Sequence, residues 1–488
     1  MIRFLLNNTL QSISDIDPNT TILNYLRTTK SLTGTKEGCA SGDCGACTVV
    51  LAEVKNDQLT YLAINSCLTL LPALNGKQLI TVEALKSGSQ LHPVQQSLVD
   101  NHGSQCGFCT PGIVMSLFSY SKNAQQEFSK AKALEALSGN LCRCTGYQPI
   151  INAAQEINYP KNDWFDQQQQ ETIDTLKNIQ PPQNSPANDA LLSKHQHSTT
   201  KKAFAPVNLT QLDSLLKQYP SAHLLAGGTD LVLDITQKHQ SFDELIYVGG
   251  IDELQQVSTH ETHIELGAAV SLTQCHTILA NEYPDFGHLL ERFASLQVRN
   301  QGTLGGNIAN ASPIGDTPPA LIAAGASLQL RHAGSVRSMP LEVFFIDYRK
   351  THLAAGEYIE KIIIPRKPKH SLYKVYKLSK RLDDDISAVC GAFHIELSNN
   401  KVIRATIAYG GMAAICKRAT QCEQELIGHS WDKSSIERAM AALGSDYTPL
   451  TDFRASAQYR IHAARNLLLK FWMESQPNSL PTRVTDYV

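Results

Sequence analysis

Eight of the twelve cysteines fall before residue 145: Cys39, Cys44, Cys47, Cys67, Cys106, Cys109, Cys142 and Cys144. The first four run C-x4-C-x2-C and then, after nineteen intervening residues, Cys67. The stretch "EGCASGDCGACTVV" (37–50) puts three thiols and three glycines into fourteen residues. This is the spacing of a plant-type [2Fe–2S] cluster. Four thiolates must converge on two irons, and the loop must curl with its amides facing the cluster sulfurs. Gly38, Gly42 and Gly45 permit the positive φ angles such a loop requires, and amide hydrogen bonds to sulfur then tune the reduction potential. A zinc site more often uses two separate C-x2–4-C pairs, whereas here three ligands crowd one loop.

The second set is C-x2-C (Cys106, Cys109), thirty-two residues, then C-x-C (Cys142, Cys144). On spacing alone zinc competes evenly. Both pairs run straight into helical patterns, "CGFCTPGIV" and "CRCTGYQPI", and the partial positive charge of a helix N-terminus suits an anionic cluster. Cys275, Cys390, Cys416 and Cys422 show no ligand spacing and read as small buried hydrophobes. The histidines include no H-x-x-x-H or H-E-x-x-H, and none is assigned to a metal.

No G-x-G-x-x-G follows a strand, so a Rossmann site is not indicated. Two other glycine turns stand out, "LAGGTDLVLD" (225–234) and "TLGGNIANASPIGD" (303–316). Amides freed of side chains can approach a pyrophosphate, with Thr229, Asn307 and Ser312 as hydroxyl or amide donors. From the residues alone, simple turns explain both stretches as well.

The elements that must position these groups follow from periodicity. Residues 1–86 read as a small α+β unit: "MIRFLLNN" and "LQSISDI" as paired strands, "TTILNYLRT" as a short helix, "CTVVLAEV" and "QLITVEAL" as strands. Residues 87–160 read as helical, with Thr110 capping a helix whose first position is Pro111, "SKAKALEALSGN" stopped by Gly139, and "QPIINAAQEI". Residues 161–203 ("DQQQQ", "QPPQNSPAND", "SKHQHSTTKK") read as a solvated linker. Residues 204–370 alternate strand and helix, with "LQVRNQGTLGGNIANASPIGDTPPALIAAGA" as a glycine-rich loop leading into a helix. Residues 371–488 read as a strand meander closed by a helix over Tyr459 to Trp472. The fold class is multidomain α+β.

Length supports several domains with ample core. Net charge is −2, so no nucleic-acid or acidic-membrane partner is implied. "MIRFLLNNTLQS" carries no signal-peptide pattern, and no stretch of about 18 apolar residues exists to span a membrane. The expectation is a cytoplasmic, reducing compartment, where clustered thiols serve as metal ligands.

"QCGFCTPG" (105–112) with "GNLCRCTGYQPI" (139–150) resembles the helical [2Fe–2S] domain of the molybdenum hydroxylases. The resemblance implies a second [2Fe–2S] cluster on Cys106, Cys109, Cys142 and Cys144, with Gln105 and Cys144 against the pterin of the molybdenum cofactor. The two glycine turns, together with "FFIDYRKTHL" (344–353), "YKLSKRLDDDISAV" (376–389), "AYGGMA" (408–413) and "DFRASAQYRIHAARNLL", resemble the FAD domain of xanthine dehydrogenase and its relatives. That resemblance implies a β-grasp ferredoxin domain, a helical-bundle cluster domain, a two-lobed FAD-binding domain and a C-terminal α+β lobe. It implies flavin contacts at Leu225, Ala226, Gly227, Gly228, Thr229, Asp230, Leu231, Val232, Phe293, Thr303, Leu304, Gly305, Gly306, Asn307, Asp316, Ile359 and Lys377. Asp384 and Asp385 either shape the nicotinamide end or form a charged turn.

The chain most resembles the small subunit of the bacterial two-chain members. There, the molybdopterin and the catalytic residues belong to a large partner chain, in a heterotetramer of two small and two large chains. The implied role is electron transfer through two [2Fe–2S] clusters to FAD and then NAD+ during hypoxanthine and xanthine oxidation. Alternatives are the same role with an aldehyde, nicotinate or another N-heterocycle as substrate, a stand-alone ferredoxin–flavin NADH reductase, and a zinc scaffold.

Overall fold

The computed structural model describes residues 1–123, 128–157, 163–180, 190–196, 199–477, 479–480 and 482–483. The chain forms two compact units, residues 1–253 with 294–302, and residues 254–293 with 303–488.

The first unit begins with a mixed sheet of β1 (Ile2–Leu6), β2 (Thr9–Ile13), β3 (Thr48–Lys55), β4 (Gln58–Asn65) and β5 (Gln78–Ile80), in the order β2-β1-β5-β3-β4. β1 and β5 run parallel and the other pairs antiparallel. Ile2, Phe4 and Leu6 alternate inward along β1, as a half-buried strand requires. The short helix α1 (Ile22–Asn24) is capped by the Thr21 hydroxyl, continues as a wider turn through Thr29, and lays Ile22, Leu23 and Leu26 on that core. This is the β-grasp arrangement. β4 was not singled out from sequence, and "QLITVEAL" is strand only over Gln78–Ile80 before a 3-10 turn at Val82–Leu85.

Four helices follow: α2 (Pro93–Asp100), α3 (Thr110–Asn123), α4 (Lys130–Leu137) and α5 (Gln148–Glu156). α3 starts at Thr110 itself and buries Ile113, Val114, Leu117 and Phe118 against the back of the β-grasp sheet.

The segment read as a solvated linker is folded where it is described. Helices span Trp164–Gln167 and Gln169–Ile179. Ile173, Leu176 and Ile179 are buried at a spacing of three, the last two packing with Leu5 of β1. Of the glutamines in "DQQQQ", Gln167 and Gln168 precede this amphipathic helix and Gln169 and Gln170 open it, with Gln167, Gln168 and Gln170 exposed. Leu192–Gln196 and Thr199–Phe204 form a hairpin in a four-stranded sheet with Glu244–Tyr247 and His223–Leu225. Residues 161–162, 181–189 and 197–198 of that segment lie outside the described residues.

The second unit holds an antiparallel five-stranded sheet, ordered Val257–Thr259, His263–Gly267, Tyr358–Pro365, Ser327–His332, Ser335–Pro340. Its second sheet is the expected meander, Ser371–Leu378, Val389–Ser398 and Lys401–Gly410, closed by Lys417–Arg418. The apolar helix Thr317–Ala324 is buried throughout, and the C-terminal helix runs Ala457–Glu474. Cys275, Cys390, Cys416 and Cys422 are all buried. No helix among the described residues is long and apolar enough to cross a membrane.

Candidate functional site: two sulfur sites and two glycine turns

The loop Gly38–Cys47 brings the first four thiols together as two pairs. Cys47 Sγ and Cys67 Sγ lie 3.3 Å apart, and Cys39 is hydrogen-bonded to Cys44. Each pair shares a proton unevenly. The bond from Cys44 pulls Cys39 down to about 4 and pushes Cys44 up, and the bond between Cys47 and Cys67 lowers the former and raises the latter. Two adjacent thiolates are stable together only when a cation lies between them. Four thiolates around one zinc would sit mutually about 3.8 Å apart, from the Zn–S distance and a tetrahedral angle. Among the described residues, the one set of three or more ligand atoms within 4.8 Å of one another is His260, His263 and Glu265. That glutamate is held by Lys361 at 2.9 Å. The cysteines therefore group as pairs rather than tetrads, the donor arrangement of a di-iron cluster.

The backbone fits the same group. Gly45 has φ +67°, and a Cβ there would run into Gly139 O and lie 2.5 Å from Asn140 Nδ2. Gly38 is needed for space rather than for a positive φ, since its Cβ would lie 2.7 Å from Cys44 Sγ. The Ser41 amide donates to Cys39 Sγ at 3.4 Å.

At the second site Cys106 pairs with Cys144 and Cys109 with Cys142. Burial pushes Cys109 up to about 12. Cys142 is also pushed up by burial, but the Thr145 hydroxyl and nearby amides bring it below the usual thiol value. Cys109 leads directly into α3 and Cys144 lies just before α5. Cys106, Cys144 and Gln105 are exposed, with Phe108, Leu141 and Tyr147 exposed around them.

The two sulfur sites are joined. The Leu141 amide, one residue before Cys142, donates to Cys44 O at 3.0 Å. Asn140 Nδ2 donates to Gly45 O (3.1 Å) and Thr48 Oγ1 (3.2 Å). Its Oδ1 accepts from Ser116 Oγ of α3 (2.6 Å) and from Gln297 Nε2 of the helix Leu296–Gln301 (3.0 Å).

The first glycine turn lies in the same unit. Leu225 ends a strand, Gly228 has φ +76°, and Val232 is buried in the helix Leu231–Thr236. Leu225 and Val232 share a core with Cys47, Cys67 and Leu68. A Cβ on Gly228 would lie 2.8 Å from Leu68 O, and Gly227 packs on the Gln301 carbonyl. Gln237 Nε2 donates to Cys39 O (3.2 Å) and Ala40 O (2.9 Å), so the turn and its helix rest on the first sulfur loop.

The other flavin candidates lie in the second unit. The expected glycine loop is a short helix, Leu304–Ala309, capped by Thr303 Oγ1, which accepts the Gly306 amide at 3.1 Å. Gly305 closes on Ala268, with its amide donating to Ala268 O at 3.0 Å. Asn307 Oδ1 accepts from Thr317 Oγ1 at 2.6 Å. The neighbouring Asp316 is buried and paired with Lys377 Nζ at 2.6 Å and with Ser387 Oγ at 2.5 Å. Ile359 is buried at the edge of the same core, and Phe293 packs against it. Asp384 (φ +49°) and Asp385 lie in a turn that Asp385 closes onto the Arg381 amide at 2.9 Å, the charged-turn geometry.

Sequence reasoning did not assign roles to Asn140, Leu141, Thr145 or Tyr147, although all four lie within "GNLCRCTGYQPI". Gln237 carries no local signal; its partners lie 197 and 198 residues away.

Comparison with known proteins matches four family descriptions in succession. Residues 4–71 match the 2Fe-2S iron–sulfur cluster binding domain, and 81–155 a [2Fe-2S] binding domain. Residues 198–367 match the FAD binding domain in molybdopterin dehydrogenase, and 374–475 the CO dehydrogenase flavoprotein C-terminal domain. Xanthine dehydrogenase of Emericella nidulans is 35% identical over 91% of this chain and 36% of its own length. Xanthine dehydrogenase 1 of Arabidopsis thaliana is 31% identical over 96% of this chain and 39% of its own. The chain thus spans little more than a third of the curated relatives it matches. A carbon monoxide dehydrogenase structure from Hydrogenophaga pseudoflava, lacking the Mo-pyranopterin moiety, is 26% identical with TM-score 0.53, over 55% of this chain and 95% of that one.

Proposed function

We infer a function from one premise: this chain is an iron–sulfur and FAD-binding member of the molybdenum hydroxylases of the xanthine dehydrogenase type. From that premise, we propose that it carries electrons from the molybdenum centre of a partner chain through two [2Fe–2S] clusters to FAD and then NAD+, in hypoxanthine and xanthine oxidation to urate. When bound, the clusters supply one-electron steps and the flavin converts them to hydride transfer. The chain supplies ligands, spacing and environment. Cys39, Cys44, Cys47 and Cys67 hold one cluster, and Cys106, Cys109, Cys142 and Cys144 the other.

The observation that carries the reading is the pairing of eight thiols at two sites, linked by hydrogen bonds from Leu141 N to Cys44 O and from Asn140 Nδ2 to Gly45 O and Thr48 Oγ1. The second site is exposed and rimmed by Phe108, Leu141 and Tyr147, which supports docking of a molybdopterin-binding chain there, with Gln105 and Cys144 at the pterin. The first site is covered by the turn Leu225–Val232, which supports the flavin as its redox neighbour. That turn, Phe293, Thr303 to Asn307, Asp316, Ile359 and Lys377 form the proposed flavin contacts. The Asp316–Lys377 pair holds the helix that follows Asp316 against the meander. The proposed assembly is two small and two large chains in the cytoplasm. The partner's pocket sets the substrate; xanthine is favoured by the relatives' names.

The test is to express the full chain alone and with its companion. The chain alone should reduce dyes with NADH and leave xanthine unchanged. Xanthine turnover by the isolated chain would overturn the missing-partner reading. Cys44→Ser and Cys106→Ser should each remove one of two [2Fe–2S] EPR signals and leave the other.

A further inference from the structure

The six residues from Cys142 to Tyr147 close on themselves through side chains. The Cys142 amide donates to Tyr147 Oη at 2.9 Å. The Tyr147 amide donates to Thr145 Oγ1 at 3.1 Å. Thr145 Oγ1 lies 3.3 Å from Cys142 Sγ. Tyr147 holds φ +69°, a conformation uncommon for a bulky residue and worth about 1–3 kcal/mol of strain. Tyr147 is 40% exposed, so apolar burial does not account for that strain; the hydroxyl that receives the Cys142 amide does.

The direction of each bond follows from chemistry. The Tyr147 amide can only donate, so it occupies a lone pair of Thr145 Oγ1 and leaves the hydroxyl proton free. Once Cys142 is a thiolate ligand it has no proton to give. The contact is then O–H to S, with Thr145 as donor. Cys142 is only 8% exposed, whereas Cys106 and Cys144 are open to solvent. A hydrogen bond to a buried charged sulfur is stronger than one shared with water.

We propose that Thr145, oriented by Tyr147, donates a hydrogen bond to the Cys142 thiolate that raises the reduction potential of the second cluster, making this threonine a potential-setting residue of the electron entry site. The inference rests on the cluster assignment above. A donor to ligand sulfur stabilises the more negative reduced state over the oxidised one, so its removal lowers the potential.

The experiment is an EPR-monitored redox titration of the full chain with Thr145→Val, Thr145→Ala and Thr145→Ser. Valine keeps the shape and alanine adds no bulk, so at least one loss variant is free of steric conflict. Both loss variants should make the second cluster about tenfold harder to reduce, about 59 mV for a one-electron couple. Serine should titrate like the parent, and the first cluster should not move in any variant. An unshifted second cluster in a loss variant with full iron content would overturn the proposal. Absence of that cluster's signal from the parent would overturn the cluster assignment and the proposal with it. An equal shift of both clusters would overturn it too, because a local hydrogen bond cannot act equally on both.

Discussion

Gly45, Gly107 and Gly112 separate two costs that usually occur together. Gly45 has φ +67° and no room: an added Cβ would meet Gly139 O, Asn140 Nδ2 at 2.5 Å and Asn140 Cα at 2.9 Å. Gly107 has φ +82° and nothing within 4 Å. Gly112 lies in α3 with ordinary helical geometry, yet its Cβ would strike Gly45 O. Alanine in the left-handed region costs about 1–2 kcal/mol, and forcing a methyl into packed backbone costs about 1–3 kcal/mol. Gly107→Ala therefore loses about 1–2 kcal/mol and Gly45→Ala about 2–5 kcal/mol. Gly112→Ala pays the packing cost less the roughly 1 kcal/mol by which alanine favours a helix. At about 2–4 °C per kcal/mol for a unit of this size, Gly45→Ala should melt about 2–12 °C below Gly107→Ala. The assay is thermal loss of visible absorption in the full chain with cofactors bound. If Gly107→Ala falls as far as Gly45→Ala, the close approach of the two cluster domains at Gly45 is not what stabilises them. The reasoning then fails.

Lys377→Met leaves Asp316 buried without its ammonium partner. It should cost about 3–5 kcal/mol and lower flavin content in the purified chain, whereas Lys377→Met with Asp316→Leu should recover most of the stability in a denaturant titration. Burial holds the His394 imidazole below its usual pKa, its Nδ1 facing Ala323 O at 3.1 Å. The unfolded chain takes up this proton more readily, so the stability is complete above about pH 6.5 and is lost on acidification through that value, by up to about 1.4 kcal/mol per pH unit. His394→Phe should flatten the denaturation midpoint between pH 6.5 and 5 relative to the parent; an unchanged slope would remove His394 as its source. Gln237→Ala deletes two hydrogen bonds to the first sulfur loop and should cost about 1 kcal/mol while perturbing the EPR line shape of the first cluster only.

Much of the sulfur chemistry was legible because ligand spacing is a local property. C-x4-C-x2-C confines three thiols to one loop whatever surrounds it, and the fold adds only the pairing. Spacing leaves zinc open at the second site because it carries no information on which sulfurs meet; the fold brings Cys106 to Cys144 and Cys109 to Cys142. The folded helix at 169–179 is hidden by its composition, since Ile173, Leu176 and Ile179 among polar residues look like a tether until Leu5 covers the last two. The stretch 303–309 looked like a loop because glycine disfavours helix interior, yet Gly305 sits in one where Ala268 leaves no space for a side chain. Asn140 and Gln237 act through partners far away in the chain, and a single sequence does not reveal such pairings.

The central claim is that this one chain encloses two thiolate-ligated di-iron centres beside a flavin. Iron and flavin analysis of the purified full chain, with low-temperature EPR after dithionite reduction, tests it most directly. The account predicts about four irons and one FAD per chain and two distinct [2Fe–2S] signals. A colourless, zinc-loaded chain, or a single cluster signal at full iron occupancy, would contradict it.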